Sequence, residues 1–94
     1  MEYIFMIINK IKNQLISQLQ PIYLKINNNS HNHSSLVKSI THLEIIVVSH
    51  IFEKLKLINR HRLIYNILEK DLKNIHSLSL FTYSKNEWMK NKNK

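Results

Sequence analysis

The chain has no cysteine, no glycine and a single proline. Without cysteine it cannot form disulfides, use a thiol nucleophile or build a metal site from its own thiolates. Without glycine it has no P-loop, no dinucleotide-binding fingerprint and no GxxG loop of the kind with which KH domains hold nucleic acid. Any thiolate chemistry in which this protein takes part must therefore come from a partner.

Acidic residues are also scarce. The six Asp and Glu residues are spread along the sequence, and no two stand at a spacing that indicates a pair for general acid and base catalysis. Neither a thiol nucleophile nor a carboxylate pair is present, so the sequence predicts a protein that is not an enzyme.

Length and charge describe what the chain does have. Ninety-four residues, 44% of them hydrophobic, suffice for one folded domain, which we assign to residues 1–94. The net charge of +8 indicates an anionic partner such as DNA. A mutational drift toward A and T would also enrich Lys, Asn and Ile at the expense of Gly, so the charge has two explanations that the sequence leaves open.

The N-terminus predicts no membrane segment. The uncharged run from Tyr3 to Asn9 has seven residues, whereas a membrane-spanning helix needs about 18. Glu2 also occupies the place of the basic start of a signal peptide. We therefore expect no membrane partner and a cytoplasmic location.

Hydrophobic periodicity predicts two main helices and three strands. Apolar residues recur at helical spacing from Ile4 to Leu19, which predicts the first helix. Pro21 ends this helix and favours an extended conformation of Gln20. A second apolar stripe follows Asn59, a good N-cap residue. Strands are predicted over 21–27, 42–49 and 76–83, and a short helical turn at Trp88 precedes a frayed basic tail, 89–94.

The middle strand has apolar residues on both faces, which is typical of the centre of a sheet. A strand, a crossover helix and a strand in sequence favour a right-handed connection, with the third strand parallel to the second. The predicted fold class is therefore α/β (α+β), with a three-stranded mixed sheet covered by helices on one face.

Three segments in order, SHNHSSLVKSITHLEIIVVSHIF (30–52), NRHRLIYNIL (59–68) and IHSLSLFTYSKNEW (75–88), resemble the BolA proteins. The resemblance runs from about Met6 to Trp88, so residues 1–5 are either an extension or the result of a misplaced start. It implies an αββααβ fold related to type II KH domains.

The resemblance also implies a function. BolA-like proteins pair with monothiol glutaredoxins and share a glutathione-ligated [2Fe–2S] cluster, in iron–sulfur trafficking or sensing. It assigns His76 and His33 as ligands, with His31 as a substitute for His33, and it implies no cofactor when the chain is alone. The sequence leaves open whether the chain alone is a monomer or a homodimer. Periodicity by itself favours a different role for His76, a hydrogen-bonded histidine at the edge of the core, because it shares the parity of Leu78 and Leu80.

The alternative function is a DNA-binding transcriptional regulator. Basic side chains at a predicted helix start are unfavourable to the helix dipole, which favours a role in recognition. A structural role, with the arginines paired to Glu53, Glu69 or carbonyls, is the competing interpretation. The predicted nucleic-acid or partner contacts are Arg60, His61, Arg62, Lys70 and Lys73.

Overall fold

The computed structural model describes residues 2–29 and 40–92. Its elements follow the predicted order, with two 3-10 helices added and the predicted turn at Trp88 extended into a C-terminal helix. They are α1 (Glu2–Leu19), β1 (Tyr23–Asn28), β2 (Leu43–Val48), a 3-10 turn (His50–Lys54), α2 (Leu57–Ile67), a 3-10 turn (Leu72–Asn74), β3 (Leu78–Tyr83) and α3 (Lys85–Lys92).

The three strands form one mixed sheet in the order β1-β2-β3. β1 pairs with β2 antiparallel, and β3 pairs with β2 parallel. The central strand presents Leu43, Ile45 and Val47 to the core, and each of them is fully buried. The predicted fold class, central strand and parallel crossover are confirmed.

The first helix packs on this face of the sheet through the predicted stripe. Ile11, Leu15 and Leu19 are buried in the same cluster as the β2 side chains. The helix ends at Leu19, and the next residue, Gln20, has a φ of 45°, which is left-handed and not extended as the following Pro21 predicted. Such a residue commonly closes a helix and is usually glycine, so a chain without glycine uses glutamine here at a small steric cost. In the described residues, no helix combines the length and the apolarity needed to cross a membrane.

The second helix begins earlier than predicted. Its N-cap residue is Lys56, which makes no side-chain cap, and Asn59 lies within the first turn. The N-cap prediction for Asn59 is therefore wrong. The 3-10 turn before the helix is held by Ser49, whose buried hydroxyl donates to the carbonyl of Leu19 at 2.6 Å and accepts from the amide of Ile51 at 3.2 Å.

The third helix begins with a capping box. The Glu87 carboxylate accepts the amide of Ser84 at 2.7 Å, and the Ser84 hydroxyl accepts the amide of Glu87 at 3.2 Å. Trp88 stacks on Tyr23 with the ring centroids 5.1 Å apart and meets Tyr83 at 5.3 Å. These tyrosines flank buried Val48 in the sheet register.

Val48 lies on the sheet face opposite to the two long helices, because its parity differs from that of the β2 core residues. Trp88 therefore covers one end of that second face. The helix continues to Lys92. Residues 89–92 are therefore helical, whereas the sequence predicted a frayed tail there.

Candidate functional site

His76 lies where the chain enters β3, and its side chain is exposed. Its backbone amide donates to the carbonyl of Ile40 at 2.8 Å, while the amide of Ile40 donates to the carbonyl of Asn74 at 3.0 Å. Within the described part of the chain, the imidazole makes no hydrogen bond or ion pair. It is thus held in place through its backbone, and its ring nitrogens remain available to a ligand.

The exposure of His76 follows from a break in strand pairing. Ile75 forms an isolated parallel bridge with Ile40 and is buried, and the regular ladder starts only at Leu78. Two residues separate these inward-facing side chains, whereas unbroken alternation requires one or three. His76 and Ser77 are both exposed at this break, so the core-edge role that parity favoured for His76 is wrong.

His33 and its substitute His31 lie outside the described residues. The residues on either side of that segment are at the same end of the sheet as His76: the amide of Asn29 donates to the carbonyl of His42 at 2.9 Å, and Ile40 is paired with the chain on both sides of Ile75. Residue 33 is seven residues before Ile40, and a fully extended chain of seven residues spans at most about 25 Å.

His42 is a neighbour of the site to which sequence analysis gave no role. Its Nδ1 lies 3.1 Å from the hydroxyl of Ser77 and its Nε2 lies 3.4 Å from the hydroxyl of Ser79. The ring thus links the start of β2 to the start of β3, at Ser77, the residue that follows His76. Only the parallel register of β2 and β3 brings His42 to Ser77 and Ser79. That register follows from the fold and cannot be read from the local sequence pattern.

Arg60 corrects the predicted contact surface, because its side chain is 7% exposed and its guanidinium is turned inward. Its two terminal nitrogens donate to the Glu87 carboxylate, Nη1 to Oε1 at 2.7 Å and Nη2 to Oε2 at 3.2 Å. Nε donates to the carbonyl of Leu55 at 2.9 Å, and Nη1 also donates to that of Thr82 at 3.2 Å. The guanidinium carbon lies 5.6 Å from the Phe52 ring centre. The prediction that Arg60 contacts a partner is therefore wrong.

The other predicted basic contacts fall into two groups. Arg62, Lys70 and Lys73 are exposed. His61 is half-buried, and its Nε2 is buried without a hydrogen-bond partner in the described residues. Three of the five predicted side chains thus remain available to a phosphate.

The contacts of Glu87 hold its pKa far below the usual range. Hydrogen bonds from the Arg60 side chain, which have the largest effect, and from the amide of Ser84 lower the pKa of Glu87 from 4.5 to about 2. A carboxylate whose pKa falls on folding stabilises the folded state above its unfolded pKa, and that stabilisation is lost as the pH falls toward the folded pKa. The Glu87 contribution is therefore complete above 4.5 and disappears between 4.5 and about 2.

We expect Glu87→Gln to be less stable than the wild type at neutral pH, because the amide keeps the shape of the carboxylate and loses its charge. The difference should shrink as the pH falls, because the wild-type carboxylate becomes protonated. Urea unfolding of both proteins at about pH 6 and about pH 3 measures it. A difference that stays constant across that range would contradict the assigned pKa.

Known proteins are similar to this chain in sequence and in fold. A family model described as BolA-like protein matches residues 15–87. An uncharacterized protein of Buchnera aphidicola is 44% identical over 84 residues, which cover 88% of this chain and 81% of the relative. The DNA-binding transcriptional regulator BolA of Escherichia coli is 34% identical over 84 residues, covering 88% and 80%.

Among solved structures, BolA1 from Arabidopsis thaliana superposes with a TM-score of 0.74 and 31% identity, over 84% of this chain and 92% of that one. The family match extends from the last turns of α1 to Glu87 in α3. It includes the strand break at His76 and both residues of the Arg60–Glu87 pair. The chain therefore belongs to the BolA-like family.

Proposed function

We propose that this protein is a non-enzymatic, cytoplasmic partner of a monothiol glutaredoxin, with which it shares a glutathione-ligated [2Fe–2S] cluster in iron–sulfur trafficking or sensing. In this proposal His76 and His33 are the ligands on this chain. The observation that carries it is an exposed imidazole, anchored by its backbone, at the end of the sheet from which the segment containing His33 departs and returns.

The available donors fit such a shared cluster. Histidine can replace cysteine on one iron of a [2Fe–2S] centre, and this chain has six histidines and no cysteine. Within the described residues, no group of three or more His, Cys, Asp or Glu side chains is placed to hold a metal ion. A glutaredoxin thiolate and glutathione would supply the sulfur ligands that this chain lacks, and the cluster would supply the redox chemistry.

The rigid pairing around Ile40 and His76 supports the role of this chain in the proposed complex. The His76 amide donates to the Ile40 carbonyl at 2.8 Å, and the Ile40 amide donates to the Asn74 carbonyl at 3.0 Å, so Ile40 holds the backbone on both sides of Ile75. A ligand fixed in this way loses little conformational entropy on binding, because only its side-chain torsions remain to be ordered.

Mixing the purified chain with a cluster-bearing, glutathione-loaded monothiol glutaredoxin under anaerobic conditions tests the proposal. We expect the visible absorption and circular dichroism of the cluster to change, because nitrogen would replace sulfur on one iron. Size-exclusion chromatography of the mixture should show one heteromeric species that carries the iron. A spectrum identical to that of the glutaredoxin alone would overturn the proposal.

DNA binding is the second candidate function. The Escherichia coli relative is a DNA-binding transcriptional regulator, and exposed Arg62, Lys70 and Lys73 could meet phosphates. Three such contacts predict a slope of about −2.7 in log affinity against log salt concentration. Fluorescence anisotropy with a labelled duplex at several salt concentrations measures this slope. A flat response would exclude this function, and equal affinity for all sequences would reduce it to nonspecific attraction.

A further inference from the structure

The backbone groups of β3 point alternately toward β2 and away from it. The amide of Leu43 donates to the carbonyl of Ser77 at 2.9 Å, and the amide of Ser49 donates to that of Tyr83 at 3.0 Å. In a parallel ladder these bonds recur at every second residue, so odd-numbered residues of β3 face β2. The amides and carbonyls of Leu78, Leu80 and Thr82 consequently point outward. The bond from Arg60 Nη1 to the Thr82 carbonyl agrees with this direction.

Arg60 closes one end of this outer edge, and the rest of it is open. Among the described residues, the outward amides and carbonyls of Leu78 and Leu80 have no hydrogen-bond partner. Unpaired edges of this kind recruit another strand unless a charge, a proline or a covering element prevents it.

The two edges of the sheet differ in charge. At the β1 edge, Lys12 and Lys25 line the same surface groove as Leu24 and Ile26, and lysine is a common guard of edge strands. The chain from residue 74 to residue 84, which contains β3, has no charged residue and no proline. Apart from Arg60 at Thr82, the β3 edge therefore has no charge or proline of its own strand to guard it, in a protein with a net charge of +8.

We propose that the β3 edges of two copies of this chain pair antiparallel about a two-fold axis at Ser79, which joins two three-stranded sheets into one of six strands. Leu78 of each copy then exchanges two hydrogen bonds with Leu80 of the other, four in all, because in an antiparallel ladder such residues form a hydrogen-bonded pair. The pairing stops before Thr82, whose carbonyl Arg60 occupies.

A second copy fits this edge because the edge is self-complementary. The two-fold axis sets Leu78 against Leu80 on the helix-covered face and Ser79 against Ser79 on the open face, so apolar meets apolar and hydroxyl meets hydroxyl. Two chains of charge +8 repel each other, and this uncharged strand lets them approach without opposing cations directly. Such a short interface is below the size of stable complexes, so the dimer is weak and depends on concentration.

Sedimentation equilibrium of the full chain tests the dimer, together with charge variants at the two-fold axis. Wild type should shift from monomer to dimer as its concentration rises. Ser79→Lys and Ser79→Glu should each dissociate at least tenfold more readily, because like charges directly opposite on neighbouring strands repel. An equimolar mixture of the two variants should regain the dimer, which also shows that both variants fold.

Asn27→Lys is the matched control, because it adds the same charge on the same sheet face at the opposite edge. It should leave the dimer intact. The proposal is overturned if wild type stays monomeric up to about 1 mM, if Asn27→Lys dissociates the dimer as much as Ser79→Lys does, or if the mixed variants remain monomeric.

Amide hydrogen exchange gives an independent readout at residue level. The amides of Leu78 and Leu80 should become protected as protein concentration rises, whereas those of Ser79 and Phe81 are protected at every concentration by β2. Concentration-independent exchange at Leu78 and Leu80 would also overturn the proposal. Neither experiment involves glutaredoxin or iron, so failure of the dimer is distinguishable from failure of the proposed function.

Discussion

Replacing Arg60 with alanine is expected to lower the free energy of unfolding by about 2–4 kcal/mol, somewhat less than the roughly 3–5 kcal/mol typical of breaking a fully buried ion pair. The substitution removes the hydrogen bonds that the Arg60 side chain donates to the carbonyls of Leu55 and Thr82. It also leaves Glu87 without its cationic partner and removes the guanidinium from the face of Phe52. Because Glu87 is half-exposed, water compensates part of its loss, and we therefore do not expect a larger effect.

For a domain of this size the loss corresponds to a decrease in Tm of roughly 10–25 °C. Urea denaturation followed by the fluorescence of Trp88 measures it, because that residue lies in the helix that Glu87 anchors. Arg62→Ala is the matched control: Arg62 is two residues along the same helix and exposed, so its removal should cost at most about 0.5 kcal/mol. Equal costs for the two variants would contradict the structural role of Arg60.

The Arg60–Glu87 pair illustrates what the sequence could not predict. The two residues are 27 positions apart, and the competing structural interpretation of Arg60 named Glu53 and Glu69 as acidic partners. Only the fold brings α3 against the start of α2. A local signal for Glu87 was nonetheless present, because Ser84 and Glu87 have the spacing of a capping box.

The sheet, by contrast, was predictable from periodicity. In β1 the side chains of Leu24 and Ile26 are more buried than those of Tyr23 and Lys25, as the alternation predicted. β2 was identified as central because both of its faces are apolar, and parallel pairing followed from the crossover. Element ends were less predictable, since Gln20 and the start of α2 depend on backbone geometry that tertiary contacts impose.

For the candidate site, local pattern and family resemblance disagreed about His76. Alternation alone counted it with Leu78 and Leu80, whereas the resemblance assigned it to the cluster. The structure has a break in pairing between Ile75 and Leu78 that exposes the side chain. Such breaks have no signature in hydrophobic periodicity, because they depend on how a second segment, here Ile40, pairs with the strand.

His76→Ala is expected to abolish the spectral change that the wild-type chain produces in a cluster-bearing glutaredoxin, or to weaken binding of the cluster-loaded partner at least tenfold. The side chain is exposed and makes no hydrogen bond in the described residues, so its removal should change the free energy of unfolding by less than about 0.5 kcal/mol. Loss of the spectrum without loss of stability would separate ligation from folding. Anaerobic titration followed by visible circular dichroism measures the first quantity, and urea denaturation the second.

His50→Ala is the control for an unrelated exposed imidazole, since His50 pairs with Glu53 at 3.6 Å in the turn after β2. It should leave the titration unchanged.

His76→Cys provides a sharper test, because thiolate is the usual ligand of such clusters. This variant should retain the complex with an altered spectrum, which a merely structural role would not produce. Separate His31→Ala and His33→Ala variants identify the second ligand as the one whose loss reproduces His76→Ala. A wild-type response from His76→Ala would remove that residue from the site, because an imidazole that ligates iron cannot be replaced by a methyl group without changing the spectrum.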